Sequence, residues 1–148
     1  VTRSEVDLEG DGRAGRRALV VAGLLGATGV LLGAFGAHGL KGLLADVSDG
    51  ATRLEWWDTA SRYQLWHALL VSLLALRADR SSAARTGVVL GAVGVLLFSG
   101  SLYTMTLTGL RALGAVTPLG GLAFVGAWLC LAWSARAPGP SSAASASG

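Results

Sequence analysis

Three stretches of this sequence contain no Asp, Glu, Lys or Arg: 23 residues between Arg17 and Lys41, 25 between Arg85 and Arg111, and 24 between Arg111 and Arg136. A helix rises ~1.5 Å per residue, so about 20 apolar residues cross the hydrocarbon core of a bilayer. Each run is long enough. Only 14% of the chain is charged, against about a quarter in soluble domains, so side chains that form a wetted surface are scarce. A fourth run, "YQLWHALLVSLLAL", has only 14 uncharged residues between Arg62 and Arg77. The preceding "RLEWWDTAS" puts tryptophans where a helix would enter the headgroup layer, and Asp58 and Arg62 are one turn apart and able to pair. The fourth helix is therefore expected from about residue 51 to 76, with only its second half fully in lipid.

The expectation is an all-α integral membrane protein with four transmembrane helices in an antiparallel up-down bundle. The spans fall at about 18–40, 51–76, 86–110 and 118–135, in a membrane domain of residues 18–136. A polar segment, 1–17, precedes it and a Pro/Gly/Ser/Ala tail, 137–148, follows; both lack an apolar period and are expected to be mobile. Asp46, Ser48 and Asp49 are candidate caps for the second helix. Thr117 followed by Pro118 reads as the N-cap and first turn of the last. A secretory signal peptide is the competing reading of the first run. Its length and the three spans after it favour Arg16 and Arg17 as a cytoplasmic anchor.

Eight of the twelve basic residues fall on one side of this arrangement: Arg3, Arg13, Arg16, Arg17, Arg77, Arg80, Arg85 and Arg136. Lys41, Arg53, Arg62 and Arg111 fall opposite. The positive-inside rule then puts both termini in the cytoplasm. The net charge of +3 is spent on this asymmetry and does not point to nucleic acid. The single cysteine, Cys130, excludes an internal disulfide and a thiolate cluster, and reads as a small core residue.

Helices in lipid associate through close packing of small residues. Gly26, Gly29, Gly33 and Gly36 form one stripe on the first span, and Gly87, Gly91 and Gly94 another on the third. Packing within the chain is favoured over a face between copies, because four short-looped helices must first pack among themselves.

With the termini inside, the polar residues of all four spans fall in the outer leaflet: His38, then Tyr63, Gln64 and His67, then Ser99, Ser101 and Tyr103, then Thr117. His67 lies ~8 Å beyond Arg62, and Tyr103 lies ~12 Å from Arg111. Tyr63, Gln64 and His67 share a helix face, as do Ser99, Tyr103 and Thr106. Groups of this kind are costly against lipid and are expected to turn inward and bond one another. For the serines, threonines and Gln64 the favoured role is interhelical hydrogen bonding, while the two histidines are candidates for function because an ionisable group in a membrane is expensive.

The motifs "GAFGAHGLK", "YQ" followed by "HAL", "FSGSLY" and "TPLGG", in this order, resemble the YgdD/YwdK-like family of small bacterial membrane proteins, a domain-of-unknown-function family with a mitochondrial relative in animals. The resemblance covers roughly residues 18–135. It implies a four-helix inner-membrane protein and no established activity. Its recurring positions map onto His38, Tyr63, Gln64, His67, Ser99, Gly100, Ser101, Tyr103, Thr117 and Pro118. The tryptophan-rich "RLEWWDTAS" departs from the pattern and takes no family role.

Three functions follow from these residues. The first is a non-enzymatic bundle that binds or passes a small solute, a proton or a lipid headgroup through its polar outer half, or serves as an accessory subunit. Membrane lipid is then its partner, with a homo-oligomer or a larger membrane complex also open. The second is a haem binder using His38 and His67 as axial ligands, although no haem-attachment motif is present. The third is a membrane hydrolase using Ser99 or Ser101 with His67; its nearest orienting carboxylate, Asp58, is ~13 Å along the helix. No HExxH or GxSxG occurs, and two histidines are too few for zinc. The first reading, without cofactor or metal, is preferred.

Overall fold

The charge-free runs and the half-apolar segment each fold as a long helix. In the computed structural model, which describes residues 12–136, α1 runs Arg13–Leu43, α2 Gly50–Ala75, α3 Ser82–Thr108 and α4 Thr117–Ser134. The expectations for residues 1–11 and 137–148 lie outside the described residues. A 3-10 turn, Arg111–Ala115, precedes α4. Three helical stretches, Arg13–Leu43, Ser82–Thr108 and Arg111–Ser134, are long and apolar enough to cross a membrane. The remaining helix, α2, carries Arg53, Glu55, Asp58 and Arg62 in its first half, which shortens its apolar part.

Two helices contain a π-turn. One, Gly36–Leu40, lies near the end of α1; the other, Val95–Ser99, lies in the middle of α3. A π-turn inserts one residue into the helical repeat and rotates every later side chain around the axis. The first falls within the motif "GAFGAHGLK" and the second ends on the first two residues of "FSGSLY", and nothing in the hydrophobic pattern announces them.

The glycine stripe of α1 lies on α2. A Cβ at Gly26, Gly29 or Gly33 would meet Ala68, Leu65 or Ser61 at 3.9, 3.0 and 3.8 Å, and one at Gly36 would collide with the Trp57 indole. Residue numbers fall along α2 as they rise along α1. The stripe of α3 does the same against α4 and α2: Gly87 abuts Cys130 and Leu74, Gly91 abuts Val71 and Gly94 abuts Phe124. At Gly36, Gly87, Gly91 and Gly94 no Cβ fits without a shift and Gly29 is tight, so close approach needs glycine there, whereas Gly26 and Gly33 leave room for ordinary contact. The helix α2 touches all three others, whereas α1 barely touches α3. Leu70, Val71 and Leu74 of α2 are fully buried, while Leu31 and Leu96 on the flanking helices are each 70% exposed. The large apolar side chains thus line the outside, as they do where the surroundings are acyl chains.

The caps differ from expectation. Asp49 precedes α2 but makes no side-chain cap; its carboxylate accepts from Arg53 Nε at 2.8 Å and Arg111 Nη2 at 3.3 Å. Thr117 opens α4 with Pro118 in its first turn, but its hydroxyl bonds Ser101 at 2.8 Å instead of capping. The cap that does form is at Ser81, whose Oγ accepts the Ala84 amide at 3.3 Å. In the first two cases the side chain also meets a partner on another element, Arg111 for Asp49 and Ser101 for Thr117, where pairing joins two elements.

Candidate functional site

Gln64 stands at the centre of the polar residues. Its Nε2 donates to the Leu25 carbonyl at 2.9 Å and to Thr28 Oγ1 at 2.8 Å on α1, and its Oε1 accepts from the Tyr103 hydroxyl of α3 at 3.1 Å. A carbonyl can only accept, so the amide nitrogen must face α1. Thr28 passes its own proton to the Leu24 carbonyl at 2.7 Å. One amide therefore links three helices, and all its partners are satisfied.

Trp57 joins this layer. It is buried, its indole N–H donates to the Leu32 carbonyl at 2.7 Å, and its ring meets Tyr103 edge-on at 4.5 Å and Phe35 at 5.6 Å. The reading of this tryptophan as a headgroup-layer anchor is corrected: it is a core residue clamped to α1. The spacing of Trp57, Ser61, Gln64 and Ala68, four, three and four, is the signal that could have found it, since this stripe matches the glycines of α1 residue for residue. Its neighbour Trp56 sits instead beneath the Arg111 guanidinium, 5.9 Å from the ring.

His67 belongs to a second, aromatic group. It is buried, its Nδ1 lies 2.7 Å from the Tyr63 carbonyl, and its ring stacks on Phe124 of α4 with centroids 3.4 Å apart. The carbonyl acceptor requires the proton on Nδ1, which leaves Nε2 as the lone-pair nitrogen of the neutral ring. Tyr63 stacks between His67 and Phe98, at 5.9 and 4.5 Å.

The other residues make separate pairs. Ser99 Oγ donates to the Ala60 carbonyl at 2.8 Å, Ser101 meets Thr117, and Thr106 Oγ1 is shared between the carbonyls of Arg53 and Leu102 at 3.0 and 2.9 Å. His38 is exposed on the π-turn of α1 and joins none of them. Among the described residues, no buried side-chain nitrogen or oxygen lacks a partner. Neither serine hydroxyl is hydrogen-bonded to His67, so the nucleophile and base of the hydrolase reading do not meet. The haem reading requires two rings facing one cavity, but His38 is exposed on α1 while His67 is packed against α4.

Beside the Gln64–Trp57 layer, α1 and α2 part to leave a groove of about 300 Å³. Gly33, Gly36 and Ala37 form its floor, Trp57 and Ser61 its wall, and Lys41 and Asp58 its charged rim. The Asp58 carboxylate pairs with Arg62 at 2.8 Å through Oδ2. Lys41, Ser61 and Asp58 had not been singled out together from the sequence, because the groove exists only once glycines on one helix face a small residue on the other.

Apolar surface outside and a closed hydrogen-bonded layer inside define a small all-helical integral membrane protein. The chain belongs to the DUF423 family, described as proteins of unknown function, whose family model matches residues 32–121. It is similar to UPF0382 membrane protein YwdK of Bacillus subtilis (strain 168), 41% identical over 115 residues that cover 73% of this chain and 89% of the relative. It is also similar to UPF0382 inner membrane protein YgdD of Escherichia coli (strain K12), 38% identical over 112 residues, 74% of this chain and 82% of the relative. A UPF0382 membrane protein of Haemophilus influenzae is 39% identical over 116 residues, 78% and 90% of the two chains. No solved structure matches.

Proposed function

We propose that the protein crosses the bacterial inner membrane four times as an antiparallel bundle with both termini in the cytoplasm. In this reading it is a non-enzymatic binding subunit whose groove between α1 and α2 takes a small zwitterionic group in the outer leaflet. The opposed residue numbering of neighbouring helices supports the antiparallel reading. The gathering of Arg13, Arg16, Arg17, Arg77, Arg80, Arg85 and Arg136 at one end supports the orientation. The helix α2 crosses despite its charges because Asp49–Arg53 and Asp58–Arg62 pair at i,i+4 spacing, and because its second half presents Leu69, Leu73 and Leu76 outward while Leu70, Val71 and Leu74 pack inside.

The observation that carries the binding reading is the groove itself. Lys41 supplies one cation at the rim of a concavity lined by glycine, and Asp58, although its Oδ2 pairs with Arg62, supplies one carboxylate there; together they complement a group bearing a phosphate and an amine. A passage for solutes or protons is less well supported, since the layer beneath the groove is closed by Gln64, Tyr103 and Trp57 with every proton already assigned. The closed layer also favours a static binding or accessory role over acid–base chemistry.

Calorimetric titration of the purified protein in a non-ionic detergent tests this with two probes, dihexanoyl phosphatidylethanolamine and free phosphoethanolamine. Saturable binding is expected, weakened roughly fivefold by Lys41→Gln and abolished by Gly33→Leu, which fills the groove. A stronger response to the lipid assigns a headgroup, and an equal one assigns a free solute. No saturable heat with either probe, or binding unchanged in both variants, refutes the reading.

A further inference from the structure

At the opposite end of the molecule from the Lys41–Asp58 groove, α1 and α3 diverge over the end of α2 and leave a cleft of about 320 Å³. Its walls are Ala18 and Val21 of α1, Ala78 from the α2–α3 turn and Val88 of α3, and its only charged lining residues are Arg17 and Arg85. From this cleft we infer a second, separate site: it holds one acidic phospholipid, with the phosphate between the two guanidiniums and an acyl chain along the apolar walls.

The order of residues along both helices matches such a molecule. On α1, Val21 lies one turn past Arg17; on α3, Val88 lies one turn past Arg85. Each cation is therefore ~5 Å nearer the helix start than the apolar wall beside it, and both helices start at this end. Among the described residues neither arginine is paired with a carboxylate. Arg85 Nη1 donates to the Ala78 carbonyl at 3.1 Å, which holds the guanidinium over the cleft while leaving its other donors free. The nearby acid, Asp79, does not line the cleft, and its Oδ1 is occupied by the Gly15 amide at 2.9 Å. Free phosphate would use the arginines but not the walls. A zwitterionic lipid would use the walls but bring an ammonium toward two cations. An acidic phospholipid uses both, and basic pockets between membrane helices on the cytoplasmic side are suited to anionic headgroups.

This site rests on the four-span reading but not on the outer groove, so the two binding claims fail separately. The test is native mass spectrometry of the full chain from non-ionic micelles, with phosphatidylglycerol and phosphatidylcholine of identical chains and with inorganic phosphate. A single retained phosphatidylglycerol is expected, at about tenfold or more higher affinity than phosphatidylcholine. Combined Arg17→Gln and Arg85→Gln should remove that preference, while Val88→Ala keeps the preference and weakens both lipids. Arg80→Gln with Arg136→Gln, in the polar groove beside Trp133, should change neither. Equal retention of the two lipids, retention of phosphate alone to the same extent, or loss caused by the Arg80/Arg136 pair instead would overturn the assignment. So would a second copy of the protein protecting the cleft in place of lipid.

Discussion

The two ends of this molecule handle their charges differently. At the end that holds the α1–α2 and α3–α4 connections, Arg53 and Arg111 converge on Asp49, Arg111 also covers Trp56, and Thr106 ties α3 to the Arg53 carbonyl. These charges are consumed within the chain and close it. At the other end, Arg16, Arg17 and Arg80 have no carboxylate partner among the described residues, and Arg77 and Arg85 bond only backbone carbonyls, of Ser134 and Ala78. Cations left available in this way belong to a surface that meets anionic material. The same residue type therefore has two uses: as a fastener where an acid waits for it, and as a surface charge where none does.

That contrast can be broken most severely with tryptophan. Trp57→Ala should destabilise the folded protein by ~3–5 kcal/mol, since it empties a buried site and leaves the Leu32 carbonyl without its indole donor. Trp133→Ala at the other end, where the ring is 64% exposed, should stay within about 0.5 kcal/mol. Thermal or chemical unfolding in micelles measures both, and similar losses would erase the difference between the ends.

A smaller effect is expected at Gly109. It ends α3 at φ +76°, and the Arg53 guanidinium lies against the space a Cβ would occupy. Gly109→Val should cost about 1–3 kcal/mol in the same unfolding assay by straining the backbone and displacing Arg53 from Asp49.

The mildest test is pH. Burial alone would raise the Asp49 pKa, but hydrogen bonds and positive charge from Arg111 and Arg53 outweigh it and hold the carboxyl below its ordinary 3.8. A group depressed in the folded state contributes stability that is full above the unfolded pKa and lost as pH falls through the folded one. Melting temperature should therefore drop on acidification below pH ~4, and Asp49→Asn should flatten that drop. An identical acid profile in the variant would show that the Asp49 cluster does not fasten this end.

Much of the fold could be read from the sequence because hydrocarbon thickness turns length into position. Runs of 23, 25 and 24 residues without charge can do little but form long apolar helices, and three helical stretches of that character are present. The fourth, α2, was harder to read, since charges interrupt its first half and can pair along it, which leaves only a short apolar second half with Leu69, Leu73 and Leu76 exposed. Direction around the helix was less legible. Gln64 and Tyr103 meet across an interface no spacing rule specifies, while His38, on the π-turn, is rotated out to an exposed face where simple 3.6-residue counting loses its register. Trp57 was legible in principle, from the stripe it shares with Ser61, Gln64 and Ala68, but its aromatic bulk at a helix entrance resembled an interfacial anchor.

Whether α2 crosses the membrane decides the arrangement of everything else. In a Cys130→Ala background, Ser48→Cys and Ser82→Cys place one thiol on each side of α2, both at exposed positions. A membrane-impermeant maleimide applied to intact spheroplasts should label the Ser48→Cys protein at once and the Ser82→Cys protein only after permeabilisation. Labelling of both from the same side would mean that α2 does not cross, and the four-span bundle would be wrong.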